Sequence, residues 1–400
     1  MKLKINNLFF VCLSFIGIIL GSSQAIINFG LANIIQYLSY FVLIMCIIDK
    51  LLKIDKRSVL RIFYYFLLIT FLFTIGIFQQ NLPLTTKMYL AFSMIIISIL
   101  SVMPINLINK VEDFRKISNY LLFGLLLSTF LGIILNVPLF TIAVEGVGVG
   151  YGFNGGLTHK NFYAITILLS FMLRYISYKY GQEKRGDILV LSFELMLIII
   201  SNTRSVYLIF LVFLLIVHFE FYFNIKNNQQ KLLNIIIIIV GVISSYYIFN
   251  FLVISSGSYT HRVNGVINFF NYYRSDWFHL TFGAADLAFG DMTRDYGYNI
   301  RSVTGWNGTV EMPLLSVMIK NGFIGLVGYS IVLVKFILNV RNIKNKEVKV
   351  IGLSILIPLL LSAIVENYIV NVDFVFMPVC FCILNSINQI ELYYKKELIK

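Results

Sequence analysis

Five arginines, Arg204, Arg262, Arg274, Arg294 and Arg301, give the first chemical signal in the chain. A guanidinium is a planar fork that grips phosphate or carboxylate through two parallel hydrogen bonds, which a lysine ammonium cannot do. Arginine placed in preference to lysine therefore points to anion recognition, the plainer reading being salt bridges to Asp276, Asp286, Asp291 and Asp295. Glu311 and His159 are side chains able to accept a proton from a reacting hydroxyl. Trp277 and Trp306 offer flat aromatic faces suited to the C–H surface of a sugar ring, or to anchoring at a membrane interface.

Three short patterns collect these residues. The first is Gly156-Leu157-Thr158-His159-Lys160-Asn161, after a glycine-rich stretch beginning at Gly146. Its glycines allow close backbone approach to a ligand, Lys160 and Asn161 can bind it, and a helix opening at Asn161 would add free N–H groups. The second is the turn Ser201-Asn202-Thr203-Arg204. The third is the long polar stretch 255–320, containing His261-Arg262, Asp276-Trp277, Phe282-Gly283-Ala284-Ala285 and Arg294. It ends in Glu311-Met312-Pro313, an apolar run, and Lys320-Asn321-Gly322-Phe323-Ile324-Gly325. Residues 311–319 suit a short helix dipping back toward a membrane.

A membrane is what must position these patterns. The chain is 58% hydrophobic and only 13% charged, against roughly 25% charged in soluble domains. Its apolar stretches predict an all-α integral membrane protein of about twelve transmembrane helices in a single domain over 1–400, with residues 255–320 as a large outer loop containing short helices. The helices fall near 8–21, 28–48, 62–78, 88–108, 119–140, 161–177, 188–201, 205–222, 232–254, 323–340, 350–368 and 373–389. About 20 apolar residues at ~1.5 Å rise cross the ~30 Å hydrocarbon core, and in lipid the backbone must bond to itself. Period-2 alternation of a membrane barrel is absent. Cys12, Cys46, Cys380 and Cys382 all fall inside apolar runs, so neither a disulfide framework nor a thiolate metal cluster is expected.

The net charge of +13 does not point to nucleic acid, because it is divided among loops. With the N-terminus in the cytoplasm, 23 of the 32 basic residues fall on the inner side, 8 on the outer side and Lys335 within a helix. The positive-inside rule then places both termini in the cytoplasm. An uncleaved first helix keeps this alternation in phase, although residues 2–25 have the order of a signal peptide. The eight outer cations include five Arg, whereas the other 24 basic residues include six.

The three patterns, in this order and on these loops, resemble the O-antigen ligase and O-antigen polymerase superfamily over about residues 60–390. One departure is specific. Glu311-Met312 stands where the ligases have a His-Asn pair, and Lys320 stands where they have an acid. The resemblance is therefore to a polymerase of bacterial capsular or exopolysaccharide repeat units. It implies substrates made of oligosaccharides on undecaprenyl pyrophosphate at the outer face of the cytoplasmic membrane, with a chain-length regulator as a further partner. Pyrophosphate would be the leaving group, bound by Arg204, Arg262, Arg294, Arg274 and Arg301. Glu311 would be the base, with His159 next in line, and Lys160, Asn161, Trp277 and Trp306 would bind substrate. No metal or cofactor is expected. The alternatives are a ligase transferring polymer to another acceptor and a lipid-linked oligosaccharide flippase. A flippase should carry charges along its helix centres, and here these read as almost uncharged.

Reporter fusions after Lys116 and after Lys349 are expected to read cytoplasmic, and one near Asn299 external. A cytoplasmic reading at Asn299 would put the proposed ligands in the wrong compartment.

Overall fold

A computed structural model of the chain describes residues 7–103, 107–145, 148–181, 184–218, 258–284, 312–366 and 368–398. The protein is a helical, membrane-embedded bundle in which six helices are long and apolar enough to cross a bilayer. The first half contains α1 (Asn7–Gly21), α2 (Gln24–Asn28), α3 (Ala32–Leu51), α4 (Lys56–Gln79), α5 (Leu84–Val102) and α6 (Glu112–Ile134). An antiparallel hairpin follows, β1 (Phe140–Glu145) and β2 (Gly148–Phe153), pairing Phe140 with Phe153. Next come α7 (Lys160–Tyr180), α8 (Arg185–Ser201), α9 (Arg204–Val217), α10 (Ser258–Tyr272) and α11 (Trp277–Phe282). The last helices are α12 (Pro313–Arg341), α13 (Lys346–Val365) and α14 (Phe376–Leu398). The architecture is that of an all-α membrane protein, to which the hairpin is a local addition. The apolar segment expected at 232–254 lies outside the described residues.

Local chemistry explains several boundaries. Asp55 accepts the Ser58 N–H at 2.9 Å to start α4, and Asn345 accepts the Val348 N–H at 3.0 Å to start α13. Pro313 opens α12, where its missing N–H costs nothing. That helix breaks at Gly322, whose φ of 67° is open to glycine and strained for other residues. The short helix expected before Gly322 is thus present as 313–321. Its residues Leu315, Met318 and Ile319 pack with Phe269 and Tyr273 of the preceding loop region.

On α1, Gly17 and Gly21 lie one turn apart and meet Ser39 and Gln36 of α3. Small residues at this spacing let two membrane helices approach closely. The opposite partner of α1 is α6, where Gly124 faces Ile16 and Ile19. Large side chains such as Phe41, Phe63, Phe71, Phe123 and Phe130 stay exposed, as a lipid-facing surface requires.

Hydrogen bonds between distant loops define two ends. At one, Ser22 donates to the Asp373 carbonyl at 2.8 Å, and Asn202 donates to the Tyr151 carbonyl at 3.0 Å beside the hairpin. At the other, Asn7 donates to Asp49 at 2.6 Å, the Lys344 and Asn345 N–H groups both reach Glu391 at 2.8 Å, and Tyr394 reaches the Tyr180 carbonyl at 2.9 Å. The basic loops gather at this second end.

The helix interiors are less bare of charge than the sequence suggests. Asp187 is paired with Arg115 at 2.6 Å and Arg174 at 3.3 Å, all three being buried. Fully buried Glu194, in the middle of α8, accepts from Ser170 at 2.6 Å and lies 3.5 Å from Arg174. Two cations thus face two carboxylates across α6, α7 and α8. Lys335 of α12 donates to the carbonyls of Ser101 (2.6 Å) and Val102 (3.1 Å) and to Asn385 Oδ1 (2.8 Å). It thereby serves the last carbonyls of α5, which have no partner within their own helix.

Asp187→Asn should cost about 3–5 kcal/mol, because it leaves buried arginines uncompensated. Thermal unfolding of detergent-purified protein checks this, and an unshifted midpoint would show that the pairs contribute nothing net.

Candidate functional site

The hairpin end is built from segments far apart in sequence. The strand-like stretch after β2 is sewn to the turn after α1. Gln24 N–H donates to the Gly156 carbonyl at 2.9 Å, and Thr158 N–H donates to the Ser22 carbonyl at 3.1 Å. Asn154 closes a local turn by accepting the Gly156 N–H at 3.0 Å. These bonds deliver His159 in extended conformation to the start of α7. There its Nδ1 accepts the Asn161 N–H at 3.1 Å. The helix expected to open at Asn161 thus opens at Lys160, with His159 as its N-cap. Lys160, the first helical residue, is buried with its aliphatic stem against Gly152.

The turn from α8 to α9 packs on this assembly. Asn202 adopts the left-handed conformation at φ 49° and hydrogen-bonds the hairpin. Gly152 lies so close to the Ser201 carbonyl that a Cβ there would collide with it. Thr203 donates to Asn161 Oδ1 at 3.4 Å, and Asn161 Nδ2 donates to Glu366 Oε1 at 3.4 Å. Ser205 donates to that same oxygen at 3.3 Å. Glu366 is only 7% exposed and caps the C-terminus of α13. Arg204, between Thr203 and Ser205, is exposed at the first position of α9. A cation there opposes the helix dipole, at a cost of about 0.3–1 kcal/mol. An anion sitting near the free N–H groups would reverse that sign. Phe162 meets Phe374 at 3.9 Å between ring centres, closing the cluster from the α14 side.

The third pattern converges elsewhere at this end. Gln80, at the C-cap of α4, donates to the carbonyls of Phe282 (2.7 Å) and Lys320 (3.0 Å), and Asn321 donates to the Phe73 carbonyl at 2.7 Å. The Phe282-Gly283 step and the Asn321-Gly322 step thus meet over the end of α4. Asp276 caps α11 by accepting the His279 N–H at 3.2 Å. This hydrogen bond and the one with the His279 side chain hold the Asp276 carboxyl below its ordinary range. Trp277, at 76% exposure, and Arg274 are both exposed there, and α11 packs on α12 and α4. An electrostatic interaction between Lys320 and Asp373 links this region to the segment that follows Glu366.

The structure therefore brings His159, Lys160, Asn161 and Arg204 together, and sets Arg274 and Trp277 on a separate surface. Arg262 lies in α10. Glu311, Arg294, Arg301 and Trp306 lie outside the described residues. Among the described residues no three His, Cys, Asp or Glu side chains gather as a metal site, and all four cysteines are buried and unbridged. Sequence reasoning missed Glu366, hidden at the end of an apolar run. Its signal was isolation, since no other charge occurs from Val350 to Val372, and an ionisable residue so placed is functional by default. Comparison with family models, characterised proteins and solved structures finds no match.

Gly152→Ala should destabilise by about 1–3 kcal/mol through overpacking against the Ser201 carbonyl. Gly186→Ala, in open space on α8, should be neutral or slightly stabilising, since alanine is the better helix former. Paired thermal melts in detergent compare them, and equal midpoints would refute the close approach at Gly152.

Proposed function

We propose that this protein is a metal-independent glycosyltransferase of the bacterial cytoplasmic membrane, joining undecaprenyl-pyrophosphate-linked oligosaccharide repeat units into a polysaccharide. In this reading both termini are cytoplasmic, the chain crosses the membrane about twelve times, and the hairpin end faces outward. The supporting observation is convergence. Two patterns forty residues apart, Gly156–Asn161 and Ser201–Arg204, meet at the hairpin end, with two helix N-termini, the misplaced cation Arg204 and a buried carboxylate.

The chemistry needs stabilisation of the charge that builds on departing pyrophosphate, which preorganised donors supply. Arg204 is the first choice for that role, and the N–H groups opening α9 point the same way. Arg262, Arg294 and Arg301 are the further cations proposed for the pyrophosphate, whereas Arg274 lies on a separate surface. Lys160 and Asn161 are its proposed substrate contacts, with Trp306 a further one and Trp277 on the surface that carries Arg274.

The flippase reading gains one observation, the buried Glu194 and Lys335 within helices. Their partners argue for a structural role. Glu194 is held by Ser170 and Arg174, and Lys335 is occupied by two carbonyls and Asn385.

Arg204→Lys should lose most polymerisation although the charge is kept, because a point charge cannot reproduce bidentate contacts. Polymer ladders from cells expressing the variant at matched protein level are the measurement. A wild-type ladder would mean that Arg204 takes no part in anion binding.

A further inference from the structure

We infer that α10 and α11 form a membrane-surface element, seated in the headgroup region of the bilayer beside the ends of α4 and α12. Phe270 and Trp277 are its anchors, and Arg274 reaches lipid phosphate. The sequence left Trp277 open between a sugar platform and an interface anchor, and its surroundings decide for the anchor. None of this depends on the polymerase reading above.

α10 presents three faces. Gly265 and Phe269, followed by Tyr273 just past the helix end, are buried four residues apart. Phe269 and Tyr273 pack with Leu315, Met318 and Ile319 of α12. Asn264, Asn268 and Asn271, four and three residues apart, form an exposed polar face. Val263, Ile267 and Phe270, at the same spacing, form a third face that is apolar and also exposed. Trp277 and Phe278 of α11 add two more exposed aromatic side chains. In water such a surface would be a liability, and its presence marks a contact. A helix lying in a bilayer interface needs both outer faces, the apolar one turned into the acyl boundary and the polar one turned to water.

The neighbours identify that contact as lipid. α11 packs on α4 and α12, both long and apolar enough to cross a membrane. Gly283, which ends α11, fits so closely against Gln80 and Gly322 that a Cβ there would collide with both. Phe78 and Phe323, two residues and one residue from those contacts, are exposed on the two spans. The lipid-facing surface therefore runs up to α11, and Trp277 and Phe278 extend it. The turn between α10 and α11 is braced. Asp276 accepts the His279 N–H at 3.2 Å and lies 2.6 Å from the His279 ring nitrogen, and the Tyr273 ring stacks on His279 at 5.1 Å between ring centres. This brace holds the exposed turn that carries Arg274 and the start of α11 that carries Trp277. Tryptophan favours headgroup depth because its ring is apolar and its N–H polar. Arginine can lay its stem on apolar surface and keep its guanidinium on phosphate.

The chain has two tryptophans, so Trp306→Phe leaves Trp277 as the only one. The full-length variant is placed in nanodiscs of phosphatidylcholine and phosphatidylglycerol, which leave both membrane faces open to water. An interfacial helix sits about 5–10 Å into the boundary between headgroups and acyl chains, so bromine carried high on the chains should remove about half of the Trp277 emission. Bromine at the chain ends and iodide in water should each remove much less. Arg274→Glu should weaken quenching by the high bromine and raise quenching by iodide, because an anionic lipid surface repels a carboxylate. If Trp306→Phe does not accumulate, the difference between wild type and Trp277→Phe reads the same signal. Strong iodide quenching with no loss to brominated lipid overturns the inference and leaves Trp277 facing water, where a sugar could stack. Shielding from both quenchers also overturns it, with a second copy of the chain covering the face. Unchanged quenching in Arg274→Glu overturns the part given to Arg274.

Discussion

In hydrocarbon a polar group must find its partner within the protein, and this constraint arranges everything else in the molecule. It explains why Lys335 is spent on the final carbonyls of α5 and why Asp187 is held between two arginines. It explains too why Glu194 sits beside two serines. Each solution ties together helices that apolar packing alone would leave free to rotate. Removing one partner leaves a charge that water cannot reach, which is costlier than the pair is worth when intact.

The same constraint separates the two ends by chemical character. At the basic end, polar side chains are spent on closing loops, as where Glu391 takes two backbone N–H groups. At the hairpin end, polar side chains point at one another across helix termini. Asn161, Thr203, Ser205 and Glu366 form a chain of contacts that apolar residues could not replace without leaving two helix starts bare. Arg204 at the start of α9 and Glu366 at the end of α13 each carry the charge that works against its own helix. Local rules broken beside a well-made network are where function is expected.

Much of the fold was legible in the sequence. Apolar run lengths located the helices, and Pro313 and Gly322 marked the short helix before the break in α12. The grouping of basic loops at one end follows from their alternation along the chain. The hairpin at 140–153 was not legible, because residues 146–156 read as an irregular glycine-rich loop, whereas Gly152 serves close packing. At the site, two of the three patterns were recognisable because glycine, histidine and arginine stand out in an apolar chain. Their meeting was not, because it depends on Asn202 and on backbone bonds to residues 22–24 that carry no motif. Glu366 was invisible to pattern reading and could be found only as the single charge in its stretch.

The bonds from the turn after α1 and from α3 to the segment before α14 set an order of assembly. Gln36 donates to the Val372 carbonyl at 3.2 Å and to Asp373 at 2.8 Å, and Ser22 donates to the Asp373 carbonyl at 2.8 Å. These partners are more than 330 residues apart. A growing chain can join α1 to α3 as soon as both are inserted, but Gln36 must wait until Val372 and Asp373 have been made. The nascent bundle is thus a latch held open at its first turn until a segment more than 330 residues later arrives to shut it.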